Sequence, residues 1–446
     1  MSNTIENQPG TTVIPGEALR STRASKGKVF SWGLWDWATQ PFATVITTFV
    51  FGVYLTSSYF GDTDQLSIDY GWAMAGVGII IALLAPVLGQ GSDRSGHRMR
   101  NLLITTMLLA AISASLYFVM PSPSYFWLGV ALLGAGNVVA EIANVNYYAA
   151  IDQVSTPANV GRVSGLGWGL GYLGGISILL LIVAVLGMDF PPEDIRFAML
   201  MCGAWTVIFS IPIFLALKDR KPEVAPEKIG VIGSYRELGR SVMRVWRTAR
   251  HTLYFLIASA VFRDGLSGVF TYGAILAAGT FAFSGGEVIF FGIVANVTAG
   301  VSTMLFGMLD DKVGPKRVIM FSLVSMVVLG LAIFFLHDMG KIVFWVCGLL
   351  LTLFVGPAQS ASRSYLARMI PEGQSGEIFG LYATTGRAVS FLSSIGWALS
   401  IGIAVALTGG SDESVQYAGI LGIVVVLLIG LLVLIPVKDP TRTKTV

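Results

Sequence analysis

Charge is scarce in this chain. Of its 446 residues, 12% are Asp, Glu, Lys or Arg and 54% are hydrophobic, and the mean hydropathy is +0.73. A soluble domain carries roughly twice that share of charge to keep its surface hydrated. Over such a length the deficit excludes a water-soluble enzyme and turns most of the surface towards lipid. Cysteine is nearly absent: Cys202 and Cys347 sit in apolar stretches, without disulfide or metal-site spacing. The three histidines, His97, His251 and His337, fall in polar breaks, which excludes an intramembrane histidine relay and haem ligation. Without a P-loop or a G-x-S-x-G, ATP-driven transport and serine hydrolysis by that motif lack support. No metal or other cofactor is expected. The net charge of +3 gives no reason to expect nucleic acid as a partner.

What remains is a series of apolar segments of spanning length. Residues 1–28 are polar, without an apolar h-region, and read as a disordered tail rather than a signal peptide. Spans follow near 29–55, 67–90, 101–119, 124–150, 160–186 and 195–217, then near 252–281, 286–309, 317–336, 342–367, 375–406 and 415–437. The pattern predicts an all-α polytopic membrane protein with twelve transmembrane helices. A six-helix unit at 29–217 is joined through a basic linker at 218–251 to a second at 252–437, and 438–446 is a short tail. Of 29 Lys and Arg residues, 24 fall in the tails and in every second break. Positive charge marks the cytoplasmic side, so both termini are expected there. The short loops suit a bacterial inner-membrane protein, expected to act as a monomer in the lipid bilayer.

The two halves echo each other. Gly89-Gln90-Gly91-Ser92-Asp93-Arg94-Ser95-Gly96-His97-Arg98 follows the second span, and Gly307-Met308-Leu309-Asp310-Asp311-Lys312-Val313-Gly314-Pro315-Lys316 follows the eighth, at a constant offset of 218. A second echo opens the fifth and eleventh spans: Gly161-Arg162-Val163-Ser164-Gly165-Leu166 against Gly376-Glu377-Ile378-Phe379-Gly380-Leu381. Two matched pairs in corresponding places indicate an internal duplication.

The first of these loops resembles the G-x-x-x-D-R-x-G-R-R-type signature of the major facilitator superfamily. Trp35-Asp36-Trp37-Ala38, Gly161-Arg162-Val163-Ser164-Gly165-Leu166-Gly167-Trp168 and Gly356-Pro357-Ala358-Gln359-Ser360 narrow the resemblance further. They look like the branch of vacuolar amino-acid effluxers of autophagy, with its bacterial relatives. The resemblance implies two pseudo-symmetric six-helix bundles around a central cavity, working by alternating access. It also implies a conformational latch between the halves, carried by Gly89, Asp93, Arg94, Gly96 and Arg98 and, in the second copy, by Gly307, Asp311, Lys312 and Gly314. Read alone, the loop is a tight turn whose basic residues set topology.

Six charged residues remain inside the spans: Asp36, Glu141, Arg263, Asp264, Arg363 and Arg387. A charge at bilayer depth costs about 2.5–3.5 kcal/mol on insertion scales, so each needs a partner or a wet cavity. Asn137, Glu141, Asn144 and Tyr148 form one stripe on the fourth span, and Asp36, Gln40, Thr44 and Thr47 form another on the first. Gln359 and Arg363 are one turn apart on the tenth. In the superfamily the first, fourth, seventh and tenth spans line the cavity, and they carry five of the six charges. One reading gives Asp36, Glu141 and Asp264 to protons and substrate, with the arginines as counter-ions, because a carboxyl shielded from water holds its proton more readily. The other is permanent ion pairing between bundles, such as Arg363 with Glu141 or Asp36. Arg263 and Asp264, as neighbours on a helix, point in different directions.

Gly169-Leu170-Gly171-Tyr172-Leu173-Gly174 is formally G-x-G-x-x-G, but lies inside a membrane helix instead of between a strand and a helix. Gly167, Gly171 and Gly175 instead form a small-residue face for close helix approach. Tyr172 stands where the superfamily's antiporter motif has proline. The expectation is a secondary active transporter that uses a coupling proton to move a small polar or zwitterionic substrate, an amino acid among the candidates. The alternative, a polytopic enzyme acting on a lipid or prenyl substrate, would need clustered Asp or His–Asp sets at one membrane face. The pair Asp310 and Asp311 is already explained by the duplication.

Overall fold

The computed structural model describes residues 25–94, 97–155, 160–219, 230–369, 375–409 and 414–438. Twelve helices among them are long and apolar enough to cross a membrane. The first span runs from α1 (Lys26–Pro41) through a π-helical stretch, Phe42–Phe49, into α2 (Phe51–Leu55). The first bundle continues with α3 (Thr63–Arg94), α4 (Arg98–Ser115), α5 (Phe126–Ala149), α6 (Val160–Leu186) and α7 (Pro192–Ala216). After α8 (Val231–Thr248), the second bundle holds α9 (Arg250–Gly279), α10 (Gly285–Val313), α11 (Pro315–Phe335) and α12 (Lys341–Met369). Its eleventh span is broken into α13 (Ser375–Ala388) and α14 (Leu392–Thr408), and α15 (Gly419–Leu434) is the last.

Equivalent helices pack alike in the two bundles. α4 lies against α5 and α7 as α11 lies against α12 and α15, and α3 against α5 as α10 against α12. An even number of crossings leaves both ends of the described chain on one side. The linker is not merely a basic connection, because its residues 231–248 form α8, which packs on α3 and α9.

The shape of the first span follows from two residue types. Pro41 has no N–H to give to the carbonyl of Trp37, and that carbonyl instead accepts the indole N–H of Trp205 at 3.2 Å. Beyond the proline the ladder loosens to π spacing, with Val50 N–H bonded to Val45 O at 2.8 Å. On the other side of Trp37, a Cβ on Gly174 would lie 2.7 Å from the same carbonyl. The small-residue face of α6 therefore lies directly on the first span: Gly167 meets Trp32, Gly171 meets Asp36 and Gly175 meets Thr44.

On the side away from the chain ends the bundles touch. Asp64 accepts hydrogen bonds from the Ser414 hydroxyl at 2.6 Å and the Val415 amide at 2.8 Å. Gln416 Nε2 donates to Ser67 Oγ at 2.6 Å, with both residues buried. Deeper in, Tyr70 and Tyr272 meet edge to face with ring centroids 6.2 Å apart. Further contact runs along α3, which lies against α13 and α14.

Candidate functional site

Two adjoining chambers lie between the bundles, of about 450 Å³ and about 460 Å³. Ser267 and Gln359 line both. The first is the more charged, walled by Asn137, Glu141, Arg263, Asp264, Gln359 and Arg363. The second is walled by Asp36, Gln40, Asn144 and Asn296 and by the rings of Trp35, Phe42, Phe49, Tyr172 and Phe270. Each chamber takes residues from both halves of the chain.

Asp36 owes its position to its neighbours. On a helix, adjacent side chains are turned about 100° apart, so Trp35 and Trp37 flank the carboxylate. Trp35 stacks on Tyr147 with centroids 4.3 Å apart and donates its indole N–H to Thr106 at 3.0 Å. Trp37 stacks on Trp205 at 5.8 Å. Both indoles are thus held in packing, and Asp36 points between them towards α6. Gly171 makes room there: a Cβ at that position would lie 3.3 Å from Asp36 Cγ. Asp36 has no hydrogen-bond or ion-pair partner among the described residues. One turn on, Gln40 donates to Thr44 Oγ1 at 3.2 Å.

Glu141 forms an ion pair with Arg387, which joins α5 of the first bundle to the end of α13 in the second. Arg363, named in the ion-pair reading as a mate for Glu141 or Asp36, stands elsewhere on the chamber wall. Sequence spacing relates residues along one helix and carries no information on which of three arginines comes nearest across the cavity. Asn137, one turn before Glu141, donates to the Leu133 carbonyl at 2.9 Å. Asn144, on the same stripe, lines the other chamber. Tyr148 ends the stripe outside both linings and keeps 41% of its surface exposed.

Arg263 and Asp264 are both fastened to the broken eleventh span. The Arg263 guanidinium lies over the Tyr382 ring, 3.9 Å from its centroid, and Nη1 donates to the Tyr382 carbonyl at 3.1 Å. The Asp264 carboxylate accepts the backbone N–H of Ser393 at 2.6 Å. Ser393 is the second residue of α14, so Asp264 serves as a helix cap supplied from another span. A break exposes amide groups that a continuous helix would satisfy itself, and the acid beside them replaces the lost partners.

Among the described residues, each duplicated loop shows contacts to its own bundle. Arg98 Nη1 donates to the Ala149 carbonyl at the end of α5, at 3.1 Å. The amide of Met99 is capped by Asp219 at 2.7 Å. The side chains of Asp93, Arg94 and Asp311, and the surroundings of Gly89 and Gly307, lie outside the described residues, as does Gly96 entirely. In the second copy Gly314 has φ +91°, the turn that admits Pro315 into α11. Lys312 is exposed. Asp310, adjacent to the expected acid, is the one seen engaged: it accepts from Ser364 and pairs with Arg368 at 3.6 Å.

Sequence reasoning passed over several neutral lining residues. Asn296 lies at 8% exposure on α10 and donates to Gly292 O at 2.8 Å, and Thr271, Ser390 and Ser394 line the charged chamber. An Asn in an apolar span is a readable signal; single Ser and Thr residues, which satisfy themselves on their own helix carbonyls, are not.

Comparisons with known proteins agree with this architecture. The family described as "Vacuole effluxer Atg22 like" matches residues 73–444. An uncharacterised MFS-type transporter, YxiO of Bacillus subtilis, is 27% identical over 428 residues, covering 93% of this chain and 95% of that protein. Autophagy-related protein 22 of Cryptococcus neoformans is 26% identical over 294 residues, 61% of this chain and 52% of its own. The chain thus spans about half the length of that fungal relative. Among solved structures, a mutant of the nucleoside transporter NupG has a TM-score of 0.62 at 13% identity, covering 92% of this chain and 98% of that one. A D-xylose–proton symporter has a TM-score of 0.61 at 14% identity, covering 94% and 97%. These distant structures share the fold of this chain. With the family match extending over most of its length, the chain belongs to the Atg22-like vacuole-effluxer family.

Proposed function

We propose that the protein moves a small zwitterionic solute of the amino-acid class by alternating access, with a proton as coupling ion. The observation that carries this reading is the Asp36 carboxylate, which faces a chamber of aromatic and amide side chains without a partner among the described residues. A carboxylate so placed suits an ammonium group, and the surrounding rings add favourable cation–π contact. Across Gln359, which lines both chambers, Arg363 belongs to the other wall and suits a carboxylate. The two chambers together would bind opposite ends of one small molecule. The fungal relatives carry names from autophagy, and the family is described as vacuole effluxers; both fit export of small metabolites, and neither names the solute.

Proton coupling is assigned to Glu141. Its partner Arg387 lies on the opposite bundle, so protonation of the acid would release a contact between the halves. Binding and the change of access would then be linked through one group, the requirement for coupled transport.

Uptake into liposomes containing the purified protein tests the proposal. An amino-acid panel is applied with and without an imposed pH gradient. Saturable uptake of one or more amino acids that is accelerated by the gradient is expected. No uptake or exchange of any panel member would reject the substrate class, and flux indifferent to the gradient would reject the coupling.

A further inference from the structure

The linker helix α8 has three faces. Ser234, Leu238, Ser241 and Val245 turn towards the protein, where Ser234 and Val245 are buried. Arg236, Arg240, Arg244 and Arg247, spaced at i, i+4, i+8 and i+11, form a basic face, and all four are exposed. Between these lies an apolar face that the protein leaves uncovered: Val231 is 59% exposed, Ile232 78%, Met243 51% and Trp246 38%. An uncovered apolar strip beside a strip of arginines is the pattern of a helix lying in a membrane interface.

The attachment of α8 puts this pattern at the membrane surface. Tyr235 donates its hydroxyl to the Leu83 carbonyl at 2.5 Å. Leu83 is itself 59% exposed and continues an exposed stripe of Trp72, Ile79 and Ile80 along α3, the lipid-facing side of that span. At the other end, Trp246 meets Tyr254 of α9 edge to face at 5.9 Å, with the Arg250 guanidinium 5.3 Å from its ring. The helix is therefore pinned at both ends to spans that enter the bilayer, and its apolar face extends their lipid-facing surface.

We infer that α8 is an anionic-lipid-binding surface, seated in the interface of the leaflet on the side of the chain ends, with its arginines against acidic phospholipid headgroups. Charge complementarity selects the lipid. On this face Arg236, Arg240 and Arg247 draw acidic headgroups, each basic residue near such a surface adding about 1 kcal/mol of attraction. Zwitterionic lipid would satisfy the apolar face alone. Because α8 joins the two bundles, bound lipid would also fix the one covalent connection between the halves.

The test uses the full chain with Cys347→Ser, leaving Cys202 buried at 0% exposure. A polarity-sensitive fluorophore is attached at Ile232→Cys or, as a control on the basic face, at Arg240→Cys. The protein is placed in nanodiscs of phosphatidylcholine with about one quarter phosphatidylglycerol, the acidic lipid supplying the surface charge. Blue-shifted emission at position 232 is expected, with quenching by nitroxide-labelled lipid, while position 240 stays closer to the water value. Nitroxide phosphatidylglycerol should quench position 232 about twice as strongly as nitroxide phosphatidylcholine, since each arginine attracts acidic lipid. High salt, or the triple variant R236Q/R240Q/R247Q, should bring the ratio to unity. Because the salt arm on the position-232 reporter keeps every arginine of α8, a misfolded triple variant leaves the test intact. Water-like emission at 232 would overturn the interfacial placement, and equal quenching by the two lipids at low salt would overturn the anionic preference.

Discussion

Glu141 and Arg387 form an ion pair across the cavity, the acid on α5 of one bundle and the base at the end of α13 of the other. Their side chains are 21% and 19% exposed, so the pair is only partly shielded by the cavity. Each residue alone would be an isolated charge at bilayer depth. Together they join the halves at the point where the eleventh span breaks.

Removing one partner should therefore be worse than removing both. Breaking a buried pair costs about 3–5 kcal/mol in a dry interior, and less where cavity water reaches it. Glu141→Gln and Arg387→Gln should each lower the thermal midpoint of the purified protein, and the double substitution should recover part of the loss. Purely additive losses would show that the two residues are not energetically coupled. In liposomes, Glu141→Gln should also abolish stimulation by a pH gradient. Unchanged gradient-driven uptake would remove Glu141 from the coupling mechanism.

Asp264 should behave differently, because its carboxylate caps Ser393 at the start of α14. Asparagine retains an oxygen that can accept the amide, whereas alanine does not. Asp264→Ala should destabilise the protein by about 0.5–2 kcal/mol, the range for a lost helix cap, and Asp264→Asn by much less. Thermal unfolding separates the two. A stable Asp264→Asn protein that has lost gradient-driven uptake would make Asp264 a proton carrier instead of a positioning residue.

The sequence showed the membrane architecture in outline and the cavity in part. Apolar runs and the placement of Lys and Arg are local properties, and they put the fifth span at 160–186, where α6 lies. The stripe from Asn137 to Asn144 faces the cavity because helical phase is also local. Pairing is not local: nothing in the spacing of Arg263, Arg363 and Arg387 says which one meets Glu141. The break after Ala388 was equally hidden, since Val389-Ser390-Phe391 contains neither proline nor glycine. It is held by Asp264, 129 positions from Ser393. In 218–251 the apolar residues of α8 are interleaved with its arginines, so they form no apolar run that the sequence would show as a membrane-contacting segment.

At Asp36 the expected effect is on binding. The indoles of Trp35 and Trp37 are anchored elsewhere, so Asp36→Asn should leave the fold intact. A hydrogen bond to a charged group contributes about 1.5–3 kcal/mol, which corresponds to roughly a 10- to 100-fold loss of affinity for an ammonium-bearing solute. Concentration-dependent uptake would show this as a raised half-saturation value. The loss should vanish for an analogue lacking the amine; equal losses for both compounds would mean that Asp36 does not contact it.

The contacts away from the chain ends should control access to the cavity from that side. Gln416 and Ser67 are buried at 1% and 0% exposure and joined at 2.6 Å between bundles, while Asp64 binds Ser414 and Val415 nearby. Gln416→Ala leaves the Ser67 hydroxyl without this partner. An unsatisfied buried polar group costs about 1–3 kcal/mol, and the penalty applies only while the bundles are closed, because separation lets water reach it. The closed population should therefore fall by roughly 5- to 100-fold relative to the open one. A cysteine introduced at Thr47, which lines the charged chamber, reports the change through its reaction with a membrane-impermeant thiol reagent added from that side. Labelling should be faster with Gln416→Ala, and faster still with Asp64→Ala added. A rate that does not change would mean that the hydrogen bonds across this face do not hold it shut, leaving closure to the packing of rings such as Tyr70 on Tyr272.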